Sequence, residues 1–235
     1  MNINEIEKKA LNLLDARLSA KPISSFSEKL DLKTAQEVLK RGMELRLKRG
    51  EEITGMVLQK ENYFSYLTNQ MNLIPGSIFS IKDCILPKVS AHFVYYIDSR
   101  LECPSTLEKI MDATSSIGLA LLISDSRFKI GPEVTWEERV ADNFFSTYYF
   151  LGKKRLDLKE MKDRSVRTSI YCNQEKKFES EVSDLLFGLA GLTQQSLVPS
   201  SIVLGPNLFE LLPLNSNMDI SLVADYFGSA NFKVI

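Results

Sequence analysis

The sequence predicts an α+β protein in which two N-terminal helices precede a body rich in β-strands. Apolar residues recur at helical spacing through the first 50 residues. From Ile53 onward the pattern changes to short apolar or β-branched runs that are bounded by Gly, Pro, Asn or Asp. We therefore expect a helical segment over residues 1–50 and a β-rich domain over residues 51–235.

The first predicted helix begins near Ile3 and ends before Pro22, because the residue preceding a proline disfavours helical backbone. The second begins at Asp31, a good N-cap residue, and ends before Gly50. Its last turns carry five cations, namely Lys40, Arg41, Arg46, Lys48 and Arg49. We interpret this basic run as a solvent-exposed helix end, where cations are favoured. The alternative is an anion-binding patch.

The body is predicted to alternate strands with two helices. The predicted strands are Ile53–Gln59, Ser77–Ile81, Ala91–Ile97, Leu119–Ser124, Phe145–Gly152, Val166–Tyr171, Ile202–Leu204, Leu208–Leu211, Ile220–Val223 and Phe232–Ile235. One helix is predicted over Thr106–Ser116, where Ser105 to Glu108 have the pattern of a capping box. The other is predicted over Ser180–Leu192, which carries leucines on one face.

Composition excludes several classes of protein. The 29 Lys and Arg residues against 30 Asp and Glu leave no basic excess for nucleic acid. The longest apolar stretch, residues 117–123, is too short for a membrane helix. A single histidine, His92, excludes sites that need two, such as HExxH. We expect no nucleic-acid or membrane partner.

The cysteines and the N-terminal segment indicate a cytoplasmic protein. The first 18 residues are charged and amphipathic, unlike a signal peptide. The three cysteines, Cys84, Cys103 and Cys172, are odd in number, widely spaced and form no CxxC. We expect them to be reduced thiols.

The order of several short strings is more informative than generic motifs. These are Gly55, Ile74–Gly76, Leu86–Val89, Ile123–Arg127, Val140–Asn143, Leu151–Gly152, Pro199–Gly205 and a terminal Phe-x-Val-Ile. Over nearly the whole chain this series resembles the fumarylacetoacetate hydrolase superfamily, in its 2-keto-4-pentenoate hydratase and 4-oxalocrotonate decarboxylase branch. The resemblance implies a fumarylacetoacetate hydrolase-like mixed β-sheet roll behind N-terminal helices. It also implies an oligomer, since such decarboxylases associate with hydratases.

The resemblance further implies a metal-dependent chemistry. Such enzymes hold a divalent metal, usually Mg²⁺, through three carboxylates, two of them in a Glu-x-Glu on one strand. Strand residues i and i+2 face the same side, so both carboxylates reach one ion. The metal binds a 2-oxo acid and stabilises an enolate, with help from a lysine.

This sequence departs from the family pattern at each of those positions. Ser90 and His92 stand where the Glu-x-Glu is expected, and Leu122 stands where the third carboxylate is expected. Val57 replaces the lysine, and Phe145 replaces a serine. Because Mg²⁺ needs anionic oxygen ligands, we predict that the metal site is absent and that no cofactor is required.

Two classes of function follow. In the first, the protein is a metal-independent lyase or isomerase that acts on a small 2-oxo acid or β-dicarbonyl compound. His92 would be the acid/base and Ser90 would assist. The expected substrate-binding residues are Arg127, Lys88 and Lys60 for a carboxylate, Asp125, Asp142 and Asn143 as polar support, and Phe145, Leu122 and Val57 as pocket wall. Alternatively, His92 is satisfied by a backbone carbonyl, and Asp125 and Arg127 are structural.

In the second class, the protein is a non-catalytic homologue. It would bind a ligand in an apolar pocket, or pair with an active relative through tyrosines that otherwise belong to the sheet core, namely Tyr95, Tyr96, Tyr148 and Tyr149. A third possibility is a step in natural-product assembly on a larger polyketide-like substrate, which no residue here selects.

Overall fold

The computed structural model describes residues 2–59, 63–129 and 134–235. The helices within them are α1 (Ile3–Ser19), α2 (Leu32–Lys48), α3 (Leu107–Ala113), α4 (Trp136–Ala141), α5 (Leu158–Met161) and α6 (Phe187–Ala190). The strands are β1 (Ile53–Leu58), β2 (Phe64–Thr68), β3 (Asn72–Leu73), β4 (Ile78–Phe79), β5 (Pro87–Ile97), β6 (Thr114–Asp125), β7 (Ser146–Asp157), β8 (Val166–Cys172), β9 (Glu175–Val182), β10 (Ser201–Leu204), β11 (Leu212–Pro213), β12 (Asp219–Ala224) and β13 (Gly228–Val234). No helix in these residues is long and apolar enough to cross a membrane.

The two N-terminal helices form as the sequence predicts. Asn2 caps α1 in a capping box with Glu5. The Asp31 carboxylate caps α2 by accepting the backbone N–H of Thr34 at 2.6 Å. Both helices bury one apolar face against the segment that follows β6, in a cluster made by Ile6, Ala10, Leu13, Ala35, Val38, Phe128, Val140, Ala141 and Phe144.

The strands form two mixed sheets. The larger sheet has the order β2-β1-β10-β5-β6-β7-β3, with β11 paired to β5. The smaller sheet has the order β4-β13-β12-β8-β9. The larger sheet curls on itself, because side chains of β1 and β2 reach β7 near the other end of the order. Ser65 Oγ lies 2.8 Å from Ser146 Oγ, and Thr54 Oγ1 lies 3.2 Å from Tyr149 Oη.

Alternate residues of the larger sheet serve two separate cores. On β5, the odd-numbered residues from Val89 to Ile97 join the main core with the smaller sheet. We call the opposite face the concave face. Its buried apolar side chains are those of Val57, Leu67, Met71, Val94, Tyr96, Ala120, Leu122, Tyr149, Ile202 and Leu204. This two-residue alternation decides which face of the sheet each predicted site residue of β5 lies on.

Some predicted elements are wrong. Of the helix predicted over Ser180–Leu192, only α6 is α-helical. Residues 180–182 belong instead to β9, which pairs with β8 through the two-residue turn Asn173–Gln174. Both turn residues have positive φ, as tight hairpins require. The helix predicted to run to Ser116 ends at Ala113, where β6 begins. No strand forms over Leu208–Leu211.

Candidate functional site

Ser90 and His92 lie side by side on the concave face, and both are 3% exposed. His92 Nε2 lies 2.8 Å from Ser90 Oγ, and Nδ1 lies 2.8 Å from the carbonyl oxygen of Gly205. A carbonyl can only accept, so Nδ1 carries the proton and Nε2 accepts from the serine hydroxyl. Both ring nitrogens are therefore satisfied within the chain.

The imidazole of His92 is neutral at pH 7. Burial lowers its pKa to about 4, although the hydrogen bond to the Gly205 carbonyl opposes the shift. In the Nδ1–H tautomer, Nε2 can accept a proton but cannot donate one. The pair can act as a weak base, and it is poorly suited to act as an acid.

The residues around this pair do not fit a magnesium ion. Leu122 is paired directly opposite Ser90 in the β5–β6 register, and Val57 is buried on the same face. Together, Ser90, His92 and Leu122 offer one hydroxyl, one imidazole nitrogen that is already bonded, and hydrocarbon. Among the residues that the structure describes, no group of three His, Cys, Asp or Glu side chains is placed to hold a metal ion.

Arg127 belongs to a second group, just beyond the end of β6. Its guanidinium donates to the Asp125 carbonyl at 2.6 Å and to Thr147 Oγ1 at 2.9 Å, and it lies 3.5 Å from the Asp142 carboxylate. The Asp125 carboxylate accepts the backbone N–H groups of residues 85 and 86. Burial raises the pKa of Asp142 to about 7, against the attraction of Arg127. These groups are held by one another and by the backbone.

The remaining predicted residues lie elsewhere. The Asn143 amide bonds to both the backbone N–H and the carbonyl of Tyr66, at 2.7 and 2.9 Å. Phe145 packs, half-buried, against the apolar cluster of the N-terminal helices. Lys88 is exposed at the start of β5, and Lys60 lies outside the described residues.

The predicted single site is thus divided in two. Ser90, His92, Leu122 and Val57 share the concave face, whereas Arg127, Asp125, Asp142 and Asn143 surround the loop after β6. Among the described residues, no hydrogen bond or ion pair joins the first group to the second. The family pattern predicts which residues make up the first group. It does not predict that Arg127 and His92 belong to separate groups.

A cavity of about 390 Å³ opens at the far end of the concave face. Its wall includes Tyr96, Tyr149, Thr54, Leu151 and Arg155. The Arg155 guanidinium lies 3.7 Å from the centroid of the Tyr96 ring, and the buried Tyr96 hydroxyl has no hydrogen-bond partner among the described residues. This cavity was not predicted from the sequence, although Tyr96 follows His92 by four residues and so faces the same side.

A smaller cavity of about 40 Å³ lies between α1 and α2, and Arg17, Arg46 and Arg127 are in its wall. The prediction that Arg46 lies on a solvent-exposed helix end is wrong. Its side chain is buried and pairs with Glu51 at 2.6 Å and with Thr68 at 3.1 Å. The ion pair forms because the chain turns back after Gly50.

No protein-family model matches the chain, and no curated protein matches it in sequence. Among solved structures, it is similar to 4-oxalocrotonate decarboxylase from Pseudomonas putida G7, complexed with magnesium and adipate, at a TM-score of 0.91 and 17% identity. That match covers 100% of this chain and 99% of the decarboxylase.

Two further solved structures match over less of the chain. A 5-carboxymethyl-2-hydroxymuconate delta-isomerase from Mycobacterium smegmatis matches at a TM-score of 0.61 and 12% identity, over 79% of this chain and 78% of the isomerase. Fumarylacetoacetate hydrolase from Exiguobacterium antarcticum matches at 0.59 and 8% identity, over 78% of this chain and 75% of the hydrolase. The chain has the fold of these enzymes, and its N-terminal helices are included in the match to the decarboxylase.

Proposed function

We propose that the chain is a non-catalytic homologue of the decarboxylases and hydratases, which binds a small oxo acid or a related carboxylate at the concave face. The observation that carries this proposal is the state of the Ser90–His92 pair. It is buried, neutral and internally hydrogen-bonded, and it stands where the resemblance implies metal-binding carboxylates.

Decarboxylation or hydration of a 2-oxo acid needs a group that stabilises an enolate as it forms. Among the described residues, no hydrogen bond or ion pair joins a cation to Ser90 or His92. His92 Nε2 accepts a hydrogen bond and has none to donate, and its pKa of about 4 makes it a weak base. The geometry is therefore better suited to holding the sheet together than to moving a proton.

The cavity of about 390 Å³ supports a role in ligand binding. Its volume lies within the range of about 300 to 1,000 Å³ that is typical of small-molecule sites. Arg155 can receive a carboxylate, and the Tyr149 and Thr54 hydroxyls can bond a carbonyl oxygen. Tyr96 lies four strand residues beyond His92, a separation of roughly 13 Å along β5. The ligand would therefore sit away from the Ser90–His92 pair.

Calorimetric titration with pyruvate, oxalate and adipate, in the absence of metal, tests the binding. We expect binding that weakens at least tenfold in Arg155→Gln and is unchanged in Lys154→Gln. Lys154 is the matched control because it is the neighbouring exposed cation on β7. Equal affinity of the two variants would refute the assigned cavity. Turnover of any of these acids by the wild-type protein would refute the non-catalytic role.

A second candidate is a metal-independent lyase or isomerase acting on a small 2-oxo acid or β-dicarbonyl compound. One observation favours it. A chain of hydrogen bonds runs from the Ser90 hydroxyl through the His92 imidazole to the Gly205 carbonyl. This is the order of nucleophile, base and orienting group in nucleophilic catalysis. In that case, metal-free turnover would be lost in both Ser90→Ala and His92→Ala, and persistence in either variant would exclude this mechanism.

The resemblance also motivates a proposal about assembly. We expect the chain to form a homo-oligomer or to associate with an active relative. Light scattering after size-exclusion chromatography measures the first, and co-expression with a tagged active decarboxylase measures the second. A strictly monomeric protein that does not co-purify with the relative would contradict both.

A further inference from the structure

Three arginines converge on the small cavity between α1 and α2. Arg17 comes from α1, Arg46 from α2 and Arg127 from the segment after β6. The rest of the wall is mostly aliphatic side chains of the two helices, with Asp142 and Asn143 beside Arg127. Charges in such a weakly polar environment interact more strongly than they do in water.

The positive charge at this cavity is not balanced. Arg46 is paired with Glu51 at 2.6 Å, and Arg127 lies 3.5 Å from Asp142. Among the described residues, Arg17 donates only to the backbone carbonyls of Ser146 and Thr147, at 3.3 and 3.1 Å. Within the described parts of the chain, no carboxylate pairs with Arg17. Three cations therefore face two carboxylates.

Two details show how poorly the charge of Arg17 is compensated. The Asp125 carboxylate does not line the cavity, because it is bonded to the backbone of residues 85 and 86. Burial lowers the pKa of Arg17 to about 9, and repulsion from Arg46 and Arg127 adds to the shift. Arg17 is half-buried, and an unpaired cation with reduced access to water is costly unless an anion accompanies it.

Gly42 keeps the cavity open. It lies in the interior of α2, where glycine is about 1 kcal/mol less favourable than alanine. It lines the cavity, and a Cβ atom at this position would meet no other atom within 4 Å. The helix therefore leaves unfilled space beside the arginines.

The size of the cavity limits what it can hold. A volume of about 40 Å³ corresponds to about three water-sized spheres, given roughly 10–15 Å³ for one. A planar oxyanion of three or four heavy atoms fits this space, whereas a dicarboxylate would extend beyond it. Planar oxyanions also match the forked donors of arginine.

From the charge, the space and the donors together, we propose that this cavity is a binding site for a small planar oxyanion of the formate or bicarbonate type, held by Arg17 with Arg46 and Arg127. The site joins α1 and α2 to the loop after β6. It is separate from the cavity at the concave face, so its test does not depend on the proposed function.

The test uses sodium formate as the probe, with sodium gluconate, which is too large for the cavity, holding the ionic strength constant. We expect a saturable rise in the melting temperature and saturable broadening of the ¹³C-formate resonance. In Arg17→Gln the apparent affinity should fall at least tenfold. In Lys40→Gln, which removes an exposed charge from the same helix pair, it should change less than twofold.

Gly42→Leu fills the space without removing charge, and it should abolish the formate broadening. It also provides the decisive comparison if Arg17→Gln does not fold. Broadening that persists in Gly42→Leu would overturn the site. A response to chloride equal to that of formate would overturn the assignment to an oxyanion.

Discussion

The Nε2 atom of His92 lies 2.8 Å from the hydroxyl oxygen of Ser90, and both side chains are buried. The other ring nitrogen donates to the Gly205 carbonyl at 2.8 Å, which fixes the tautomer. The bond to Gly205 ties β5 to the segment that follows β10, and the two bonds together leave the imidazole without a free nitrogen. The protonation of His92 is therefore coupled to folding.

The stability of the protein should depend on pH through His92. Its folded pKa is about 4, below the value of about 6.5 for an unfolded histidine. This contribution is therefore fully present above pH 6.5 and is lost as the pH falls towards 4. The loss is on the order of 3 kcal/mol, because each pKa unit corresponds to about 1.4 kcal/mol.

Urea unfolding of the wild type and of His92→Gln between pH 7 and pH 4 measures this contribution, because the other titrating groups are common to both. The wild type should lose more free energy of unfolding over this range. A titration of the single imidazole by NMR with a midpoint near 6.5 would contradict the buried, neutral state.

Ser90→Ala should destabilise the protein by roughly 1–3 kcal/mol, because it leaves the buried Nε2 of His92 without a donor. The matched control is Ser124→Ala on β6. No hydrogen bond of the Ser124 side chain is found in the described residues, so we expect a change below about 0.5 kcal/mol. Chemical denaturation compares the two variants, and equal effects would show that the Ser90 hydroxyl contributes nothing specific.

The two N-terminal helices, α3 and most strands could be predicted because their signals are local. Asp31 caps α2 with its own neighbour Thr34, and the alternation along β5 puts Ser90 and His92 on one face whatever they pack against. That the two side chains share a face was therefore predictable from spacing, once the resemblance had singled out positions 90 and 92. The Gly205 carbonyl, which accepts from His92, is 113 residues away in the sequence and could not be predicted in this way.

The wrong predictions arise where contacts outside the local segment decide the structure. The leucines from Leu185 onward suggest a helix that begins at Ser180, but residues 180–182 belong to β9 and pair with β8, and only Phe187–Ala190 are α-helical. Arg46 looks exposed at a helix end until Glu51 and Thr68 are brought against it by the turn after α2. Arg17 bonds to carbonyls about 130 residues away on β7, a contact that no local pattern indicates.

Mg²⁺ should not stabilise this protein, with or without oxalate. The hydroxyl, the bonded imidazole and the leucine at positions 90, 92 and 122 provide no anionic oxygen for a hard cation. Thermal unfolding in magnesium, in calcium and after treatment with a chelator measures this directly. The control is the same ionic strength in sodium chloride. A saturable magnesium-dependent rise in melting temperature would contradict the prediction.

Gly55→Ala should destabilise the protein by about 3 kcal/mol, at the upper end of the usual cost of overpacking. Gly55 pairs with Ile202 where β1 and β10 run parallel, and a Cβ atom there would overlap the carbonyl oxygen of Ile202. Backbone cannot move aside as a flexible side chain does. Gly42→Ala gives the opposite sign, a gain of about 1 kcal/mol, because its Cβ enters open space on a helix. Free energies of unfolding in urea compare the two variants. Tolerance of Gly55→Ala would mean that β1 and β10 do not pair in this register, and the concave face would then have to be built differently.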